Sequence, residues 1–135
     1  MIKSLSVRVN RQGLHSFTEQ LSAVIEHAGL EEGLCTLFIQ HTSASLLIQE
    51  NYDPSAQYDL ERWLNRLVPE NEPLYTYTLE GPDDMPAHIK SILTGHSVSI
   101  PIGNGSLLLG TWQGIYLAEF RNISTKRKII ATIYE

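Results

Sequence analysis

Residues 97–109 read SVSIPIGNGSLLL and give the clearest indication of the fold class of the chain. Two apolar runs, 97–102 and 106–109, lie on either side of the triplet Gly103-Asn104-Gly105. Glycine and asparagine tolerate the positive φ angles of tight turns, so the stretch predicts a hairpin of two antiparallel strands. Strands joined this directly argue against a doubly wound parallel sheet, in which each connection passes through a helix.

Five more segments carry the residue patterns of strands, either alternating or continuously apolar. They are 4–9, 34–41, 45–50, 115–121 and 128–134, and a sixth segment, 74–79, is a candidate for a short strand. The apolar face of 34–41 ends at His41, and that of 115–121 ends at Glu119 and Arg121. The strand pattern therefore places ionisable side chains at the ends of faces that are otherwise buried.

Three helices are predicted from apolar residues at helical spacing. The first follows the capping-box sequence SFTE at 16–19 and ends at Gly29. The second begins with Asp53 and Pro54, and its apolar stripe, which includes Trp63, is expected to be buried. The third covers 84–93 with Pro86 in its first turn. Its residues expected to face the core are Met85, Ile89, Ile92 and Leu93.

Together these elements predict an α+β fold with mainly antiparallel β-sheets and about three helices. A chain of 135 residues is long enough for one core, so residues 1–135 are expected to form a single compact domain. The one cysteine, Cys35, allows no internal disulfide and is expected to be a buried small hydrophobe.

Charge and hydropathy exclude several classes of partner. The net charge is −5, and the only basic run is 126–128, which we expect to solvate the start of a strand; a nucleic-acid surface is not predicted. No apolar stretch approaches the roughly 18 residues that cross a bilayer, so no membrane partner is predicted. The first residues lack a signal-peptide pattern, and we expect a cytoplasmic protein.

The sequence DDMPAHIK at 83–90 places carboxylates, an imidazole and an ammonium around one helix start. Asp84 and His88 are four residues apart and therefore neighbours on one helix face. One interpretation is structural: Glu119–Arg121 and Asp84–Lys90 are ion pairs, and the histidines are hydrogen-bonded fillers. The other is functional: His41 and His88 share a cavity with one or two carboxylates, which suits a divalent metal or general acid–base chemistry.

The stretch GTWQG at 110–114 joins two strands and presents Trp112 between glycines. The indole is either a plug over the core or a stacking surface for a ring. Gln113 beside it can hydrogen-bond an amide or pyrimidine edge. For Glu119 the strand alternation predicts a side chain at least half buried and satisfied by Arg121, a histidine or a bound ion.

Four motifs together resemble the YjbQ-like family, described as secondary thiamine-phosphate synthases. They are HTSASL at 41–46, ENYDP at 50–54, EGPDDMPAHIKS at 80–91 and GTWQGIYLAE at 110–119. The resemblance extends over essentially the whole chain. It implies a small α+β protein that forms a homotrimer, with a polar pocket near the subunit boundaries. It also implies a weak activity that joins hydroxymethylpyrimidine diphosphate to thiazole phosphate and releases pyrophosphate.

For such a reaction the site residues can be given roles. The predicted catalytic residues are His41, Asp84, His88 and Glu119. The predicted substrate-binding residues are Thr42, Ser43, Glu50, Asn51, Lys90, Trp112, Gln113 and Arg121. A divalent metal held by His41 and His88, or cations such as Lys90 and Arg121, would meet the negative charge of the leaving pyrophosphate.

Two alternatives remain open. Instead of a thiamine-phosphate synthase, the chain could be a trimeric metal- or small-anion-binding protein with no thiamine role, or a metal-dependent phosphohydrolase. In every case the expected ligand is a small phosphorylated molecule, an anion or a metal ion.

Overall fold

Two antiparallel sheets and three helices form the fold in the computed structural model, which describes all 135 residues. In chain order the elements are β1 (Ile2–Val9), β2 (Gly13–Ser16), α1 (Thr18–Ala28), β3 (Gly33–Ile39), β4 (Ala44–Glu50), α2 (Pro54–Leu67), α3 (Asp84–Thr94), β5 (Ser97–Gly103), β6 (Ser106–Leu107), β7 (Gln113–Glu119) and β8 (Thr125–Tyr134). The larger sheet has the order β1-β8-β3-β5-β6, and the smaller has the order β2-β7-β4. The predicted α+β class with antiparallel sheets is confirmed.

The hairpin predicted at 97–109 joins β5 to β6. Asn104 and Gly105 adopt φ angles of 51° and 77°, the positive values that the turn requires. Ile102 pairs with Leu107, and Gly103 pairs with Ser106.

One hydrophobic core connects both sheets with α1. It is lined by the inward faces of β3, β7 and β8 and by Leu21 and Ile25 of the helix, both almost fully buried. Cys35 lies within it with no exposed surface, as predicted, and burial raises the pKa of its thiol to about 11. The smaller sheet also packs on its other face, where Leu14, Tyr116 and Phe120 form a second cluster.

The capping box predicted for α1 is wrong, although the helix itself and its end at Gly29 are confirmed. Phe17 is the N-cap and no side chain caps the first turn. Ser16 is the last residue of β2, and its hydroxyl lies 3.2 Å from that of Thr18.

The predicted burial of α2 is also wrong. Asp53 caps the helix by accepting a bond of 2.9 Å from the Ser55 N–H, as expected, but no residue of the helix is buried. Trp63 is 59% exposed, so the stripe that the spacing assigns to the core lies largely on the surface. Only Leu60 and Leu64 pack against the second cluster.

Helix α3 is rotated relative to the prediction. Its buried residues are Asp84, Pro86, Ala87 and Lys90, whereas Ile92 and Leu93 are 82% and 58% exposed. The helix lies against β4 through small and polar contacts, and the Thr94 hydroxyl donates to the Ser45 hydroxyl at 2.7 Å. Small side chains permit this close approach, and the larger apolar ones are left outside.

The strand predicted at 74–79 does not form. The backbone there makes local turn bonds, from Tyr75 N–H to the Glu72 carbonyl and from Gly81 N–H to the Thr78 carbonyl. No neighbouring strand pairs with it, so the alternating sequence has no ladder to join. None of the helices is long and apolar enough to cross a membrane.

Candidate functional site

His88 is held between two oxygen acceptors on one side of α3. Its Nδ1 lies 2.8 Å from the carbonyl oxygen of Thr42, and its Nε2 lies 3.2 Å from Oδ2 of Asp84. A carbonyl oxygen only accepts, so Nδ1 carries a proton and donates it. The Asp84 carboxylate also only accepts, so the Nε2 contact is a hydrogen bond when the ring carries a second proton; in the neutral ring Nε2 has the free lone pair. These contacts fix the orientation of a side chain that is still 28% exposed.

Arg121 neutralises the two carboxylates at the start of α3. Its guanidinium contacts Asp84 Oδ1 at 3.2 Å and Asp83 Oδ1 at 3.3 Å, and it donates to the Glu80 carbonyl at 2.8 Å. Hydrogen bonding to Asp83 raises the pKa of Arg121. Burial alone would favour neutral Asp83, but the Asn122 N–H and Arg121 lower the pKa of this carboxyl. Asp84 is thus paired with Arg121 and His88, and the predicted Asp84–Lys90 pair does not exist.

Glu119 has no exposed surface, which confirms the prediction from strand alternation. Its charge partner is Arg127, whose Nε donates to Oε1 at 2.6 Å and whose Nη2 donates to Oε2 at 2.5 Å. Arg121 contributes only its backbone N–H, at 3.1 Å, so the predicted Glu119–Arg121 side-chain pair is wrong.

Arg127 is absent from the predicted site because the charge of the run 126–128 indicates a solvated strand start. The arginine is buried, and its side chain shares the inward face of β8 with Ile129 and Ala131. The period of two along this strand is the signal that could have found it.

His41 lies just after β3 and contacts the same network. Arg127 Nη1 lies 3.1 Å from its Nδ1, and the Lys128 N–H donates to its Nε2 at 2.8 Å. The pKa of His41 is lowered because the ring is desolvated and because Arg127 and Lys128 are positive. Arg127 also donates to the Ser43 hydroxyl at 2.9 Å, so Ser43 is held in this network and is buried.

His41 and His88 line one open cavity of about 470 Å³, as predicted. The other lining residues are Thr42, Ser91, Ile92, Gly95 and His96. His96, which belongs to no motif of the sequence, is therefore a third imidazole of the site. The cavity lies between the residues just before β4, His41 and Thr42, and the side of α3 that carries His88, Ser91 and Ile92.

Four predicted substrate-binding residues lie elsewhere: Glu50, Asn51, Trp112 and Gln113. They are near the far end of β4, about 20 Å from its start for a strand of this length. Their polar groups serve the local turns. Glu50 accepts from the N–H groups of Tyr52 and Asp53 at 2.7 and 2.9 Å, and Gln113 accepts from that of Gly110 at 2.7 Å. Within one chain they do not reach the histidine cavity.

Trp112 is 56% exposed and meets the ring of Tyr52 edge-on at 5.0 Å. It is not a plug over the core. The alternative, a surface on which a ring could stack, remains a prediction.

Lys90 also lies outside the histidine cavity. It projects from the opposite side of α3, is 2% exposed, and donates to Oδ1 of Asn65 at 2.5 Å. It lines a separate, smaller cavity under α2. The sequence places Lys90 next to His88, but residues two apart on a helix do not share a face.

The side chains that could ligate a divalent metal are few. No group of three or more His, Cys, Asp or Glu side chains could hold a metal ion. Both ring nitrogens of His41 face N–H groups, so neither is open to a metal ion. The most suitable ligand atoms are Nε2 of His88 and the neighbouring carboxylate of Asp84. A divalent metal at this position stays a prediction.

Comparison with known proteins gives consistent matches over the whole chain. A family model described as "UPF0047 protein YjbQ-like" matches residues 3–135. A UPF0047 protein of Synechocystis sp. is 48% identical over 129 residues, 96% of this chain and 88% of that protein. The UPF0047 protein YjbQ of Escherichia coli O157:H7 is 42% identical over 132 residues, 97% of this chain and 95% of that protein.

Solved structures show the same fold. A conserved hypothetical protein from Thermus thermophilus matches with a TM-score of 0.88 and 32% identity, covering 98% of this chain and 99% of that one. An uncharacterised protein of the YjbQ/UPF0047 family from Clostridium acetobutylicum matches with a TM-score of 0.84 and 34% identity, covering 99% of each chain.

Proposed function

We propose that this chain, which belongs to the UPF0047 YjbQ-like family, is a weak transferase of the thiamine-phosphate synthase type. It would join hydroxymethylpyrimidine diphosphate to thiazole phosphate in the cavity lined by His41 and His88. The observation that carries the proposal is the fixed orientation of His88 between the Thr42 carbonyl and Asp84 at the edge of this cavity. The volume of about 470 Å³ lies within the usual range for small-molecule sites.

In this reaction the bond between the pyrimidine methylene carbon and the diphosphate oxygen breaks, and its electron pair leaves with the oxygen. The thiazole nitrogen supplies the electron pair of the new carbon–nitrogen bond. The products are thiamine phosphate and pyrophosphate, with no oxidation or reduction. The departing oxygen gains negative charge, so a hydrogen bond or proton from the protein stabilises the transition state.

His88 is the residue we assign to that task. Its Nδ1 is committed to the Thr42 carbonyl, so Nε2 is the nitrogen that exchanges a proton, with Asp84 next to it. Asp84 positions the ring and stabilises its protonated form. His41 faces two donors and has a lowered pKa, so we assign it an uncharged role in shaping the pocket.

A metal-dependent phosphohydrolase, or a metal-binding protein without catalysis, is the second candidate. It is supported by the contacts of His88, because metal-bound histidines commonly donate one ring N–H to a backbone carbonyl and ligate through the other nitrogen. The neighbouring Asp84 would be the second ligand.

We also propose that the protein is a cytoplasmic homotrimer with the cavity near a subunit boundary. Ile92 lines the cavity and is 82% exposed, and Leu93 beside it is 58% exposed. Large apolar side chains next to a polar pocket are typical of interaction surfaces. A neighbouring subunit on this side of α3 would cover them and enclose the cavity.

The test is a kinetic assay with both precursors, after treatment with a chelator and again with Mg²⁺, Mn²⁺ or Zn²⁺ added. Thiamine phosphate and pyrophosphate are measured together for the wild type, His88→Ala and the control His27→Ala, whose side chain is exposed on α1. We expect His88→Ala to lower turnover about 10²–10⁴-fold and the control to match the wild type. Equal turnover in His88→Ala contradicts the proposal. Phosphate release without the thiazole substrate favours the phosphohydrolase.

A further inference from the structure

Lys90 is the charged side chain that the proposed reaction leaves without a role. It lies on α3 opposite the histidine cavity and is 2% exposed. An ammonium group carries three N–H donors, yet the chain offers it one acceptor, Oδ1 of Asn65 at 2.5 Å. The ring of Phe120, 5.8 Å from Nζ, adds only a cation–π contact.

No carboxylate forms an ion pair with Lys90, although acidic residues lie nearby. The two glutamates that line its cavity are each paired with an arginine: Glu61 with Arg11 at 3.4 Å, and buried Glu119 with Arg127. Asp83, on the other side, is paired with Arg121. Glu70 and Asp83 attract the ammonium only at longer range, so Lys90 is buried without a direct ion-pair partner. Burial lowers the pKa of Lys90, and the charges of Glu70 and Asp83 only partly oppose this shift.

The ammonium lines a small cavity between α2, β2 and the end of β7. The polar lining residues are Gln12, Glu61, Asn65, Lys90 and Glu119. Water has access to about 40 Å³ of it, which is room for about three water molecules or an ion of that size. Larger phosphorylated molecules, such as the substrates proposed above, do not fit in it.

The donors available inside the cavity can be identified. The Gln12 amide N–H groups are used by Asn65 Oδ1 at 3.2 Å and by the Phe120 carbonyl at 3.1 Å. Asn65 Oδ1 accepts from both Gln12 and Lys90, which sets the orientation of this amide and leaves its Nδ2 without a bond in the chain. Two N–H groups of buried Lys90 thus remain for a ligand, together with Nδ2 of Asn65, a lining residue that is also exposed to solvent.

We propose that this cavity is a second binding site, which takes a small monovalent carboxylate of the size of formate or acetate between Lys90 and Asn65. A bound carboxylate supplies the missing counterion, accepts the unused N–H groups and excludes water from the ammonium. The Arg11 and Arg127 partners of the two glutamates limit their repulsion of a second negative charge. The site is independent of the histidine cavity, because Lys90 and His88 lie on different sides of α3.

The experiment measures thermal unfolding of the full chain against acetate and formate at constant ionic strength, with HEPES as the background anion because its size exceeds the cavity. We expect a saturable rise in Tm for the wild type, because a ligand that binds only the folded state stabilises it. Lys3→Met removes the same charge from an exposed position and should respond like the wild type. Lys90→Met should raise the half-saturating concentration about ten- to a hundredfold, as expected for a lost charge-assisted bond.

A second variant covers the case in which Lys90→Met does not fold. Asn65→Asp keeps the lysine and places a carboxylate within reach of it, so the anion response should disappear. Equal half-saturation in the wild type and Asn65→Asp overturns the proposal. So does a wild type with no response at about 100 mM carboxylate, well above the millimolar range of weak specific binding.

Discussion

Arg127 and Glu119 form a buried ion pair joined by two donors, at 2.6 and 2.5 Å, with at most 7% of either side chain exposed. The pair links β8 of the larger sheet to the end of β7 in the smaller one. Arg127 reaches from there to Ser43 and His41. One guanidinium therefore joins the two sheets and supports one wall of the histidine cavity.

We expect Arg127→Met to lower the free energy of unfolding by about 3–5 kcal/mol, because it leaves the Glu119 carboxylate buried without its partner. Urea denaturation monitored by tryptophan fluorescence measures this change. Lys126→Met removes the same charge one residue earlier, at an exposed position, and should cost less than about 0.5 kcal/mol. Similar losses in the two variants would mean that the pair adds nothing particular to stability.

Stability should also decrease between pH 7 and pH 5 because of His41. Its folded pKa is lowered, so the unfolded chain binds the proton more tightly. The contribution is complete above the unfolded pKa of about 6.5 and is lost as the pH falls from there toward the folded pKa. Urea midpoints across this range should fall less steeply for His41→Asn than for the wild type. The exposed His27→Asn should keep the wild-type slope.

The adjacent carboxylates Asp83 and Asp84 should respond differently to amide substitution. Asp84→Asn should lower transferase turnover about 10- to 100-fold, because Asp84 orients His88. Asp83→Asn should instead lower the free energy of unfolding by about 1.5–3 kcal/mol, because Asp83 accepts from Arg121 and from the Asn122 N–H. Turnover per folded molecule and urea unfolding, measured on the same preparations, separate the two. A reversed pattern would place the reacting group at Asp83.

Ile92→Glu should dissociate the proposed trimer, because it places a charge where a neighbouring subunit covers an apolar side chain. Ile2→Glu is the matched control, since Ile2 is 71% exposed on the edge strand β1, away from α3. Light scattering at micromolar concentration should give a trimer for the wild type and the control and a monomer for Ile92→Glu. A monomeric wild type refutes the trimer.

The strands are predictable because the alternation of apolar and polar residues in the sequence matches the alternation of buried and exposed side chains in the sheets. The hairpin at Gly103–Gly105, the buried face of β3 up to Ile39 and the burial of Glu119 all follow from alternation. Arg127 obeys the same rule, and the prediction fails there only because the local charge of 126–128 is given more weight than the position of the arginine on the strand.

The helices are less predictable, because helical spacing identifies an apolar face but not what covers it. In α2 most of this face is exposed, including Trp63, and only Leu60 and Leu64 pack inward. In α3 Ile92 is exposed, and small or polar residues such as Ala87 are buried instead. His88 and Thr42 are 46 positions apart in the sequence, and their contact depends on how α3 packs against β4. The sequence motifs identify the segments that contain Thr42 and His88. They do not show that Trp112 and Gln113 lie at the other end of β4.

The burial of the only cysteine has a practical consequence for measuring these surfaces. Cys35 has no accessible surface, and its thiolate, the reactive form, is suppressed by a pKa of about 11. A cysteine introduced at the exposed position 92 would therefore be the single thiol open to maleimide labelling. A fluorophore attached there would report directly on whether a neighbouring subunit or a ligand covers the mouth of the histidine cavity, without removing any native residue of the core.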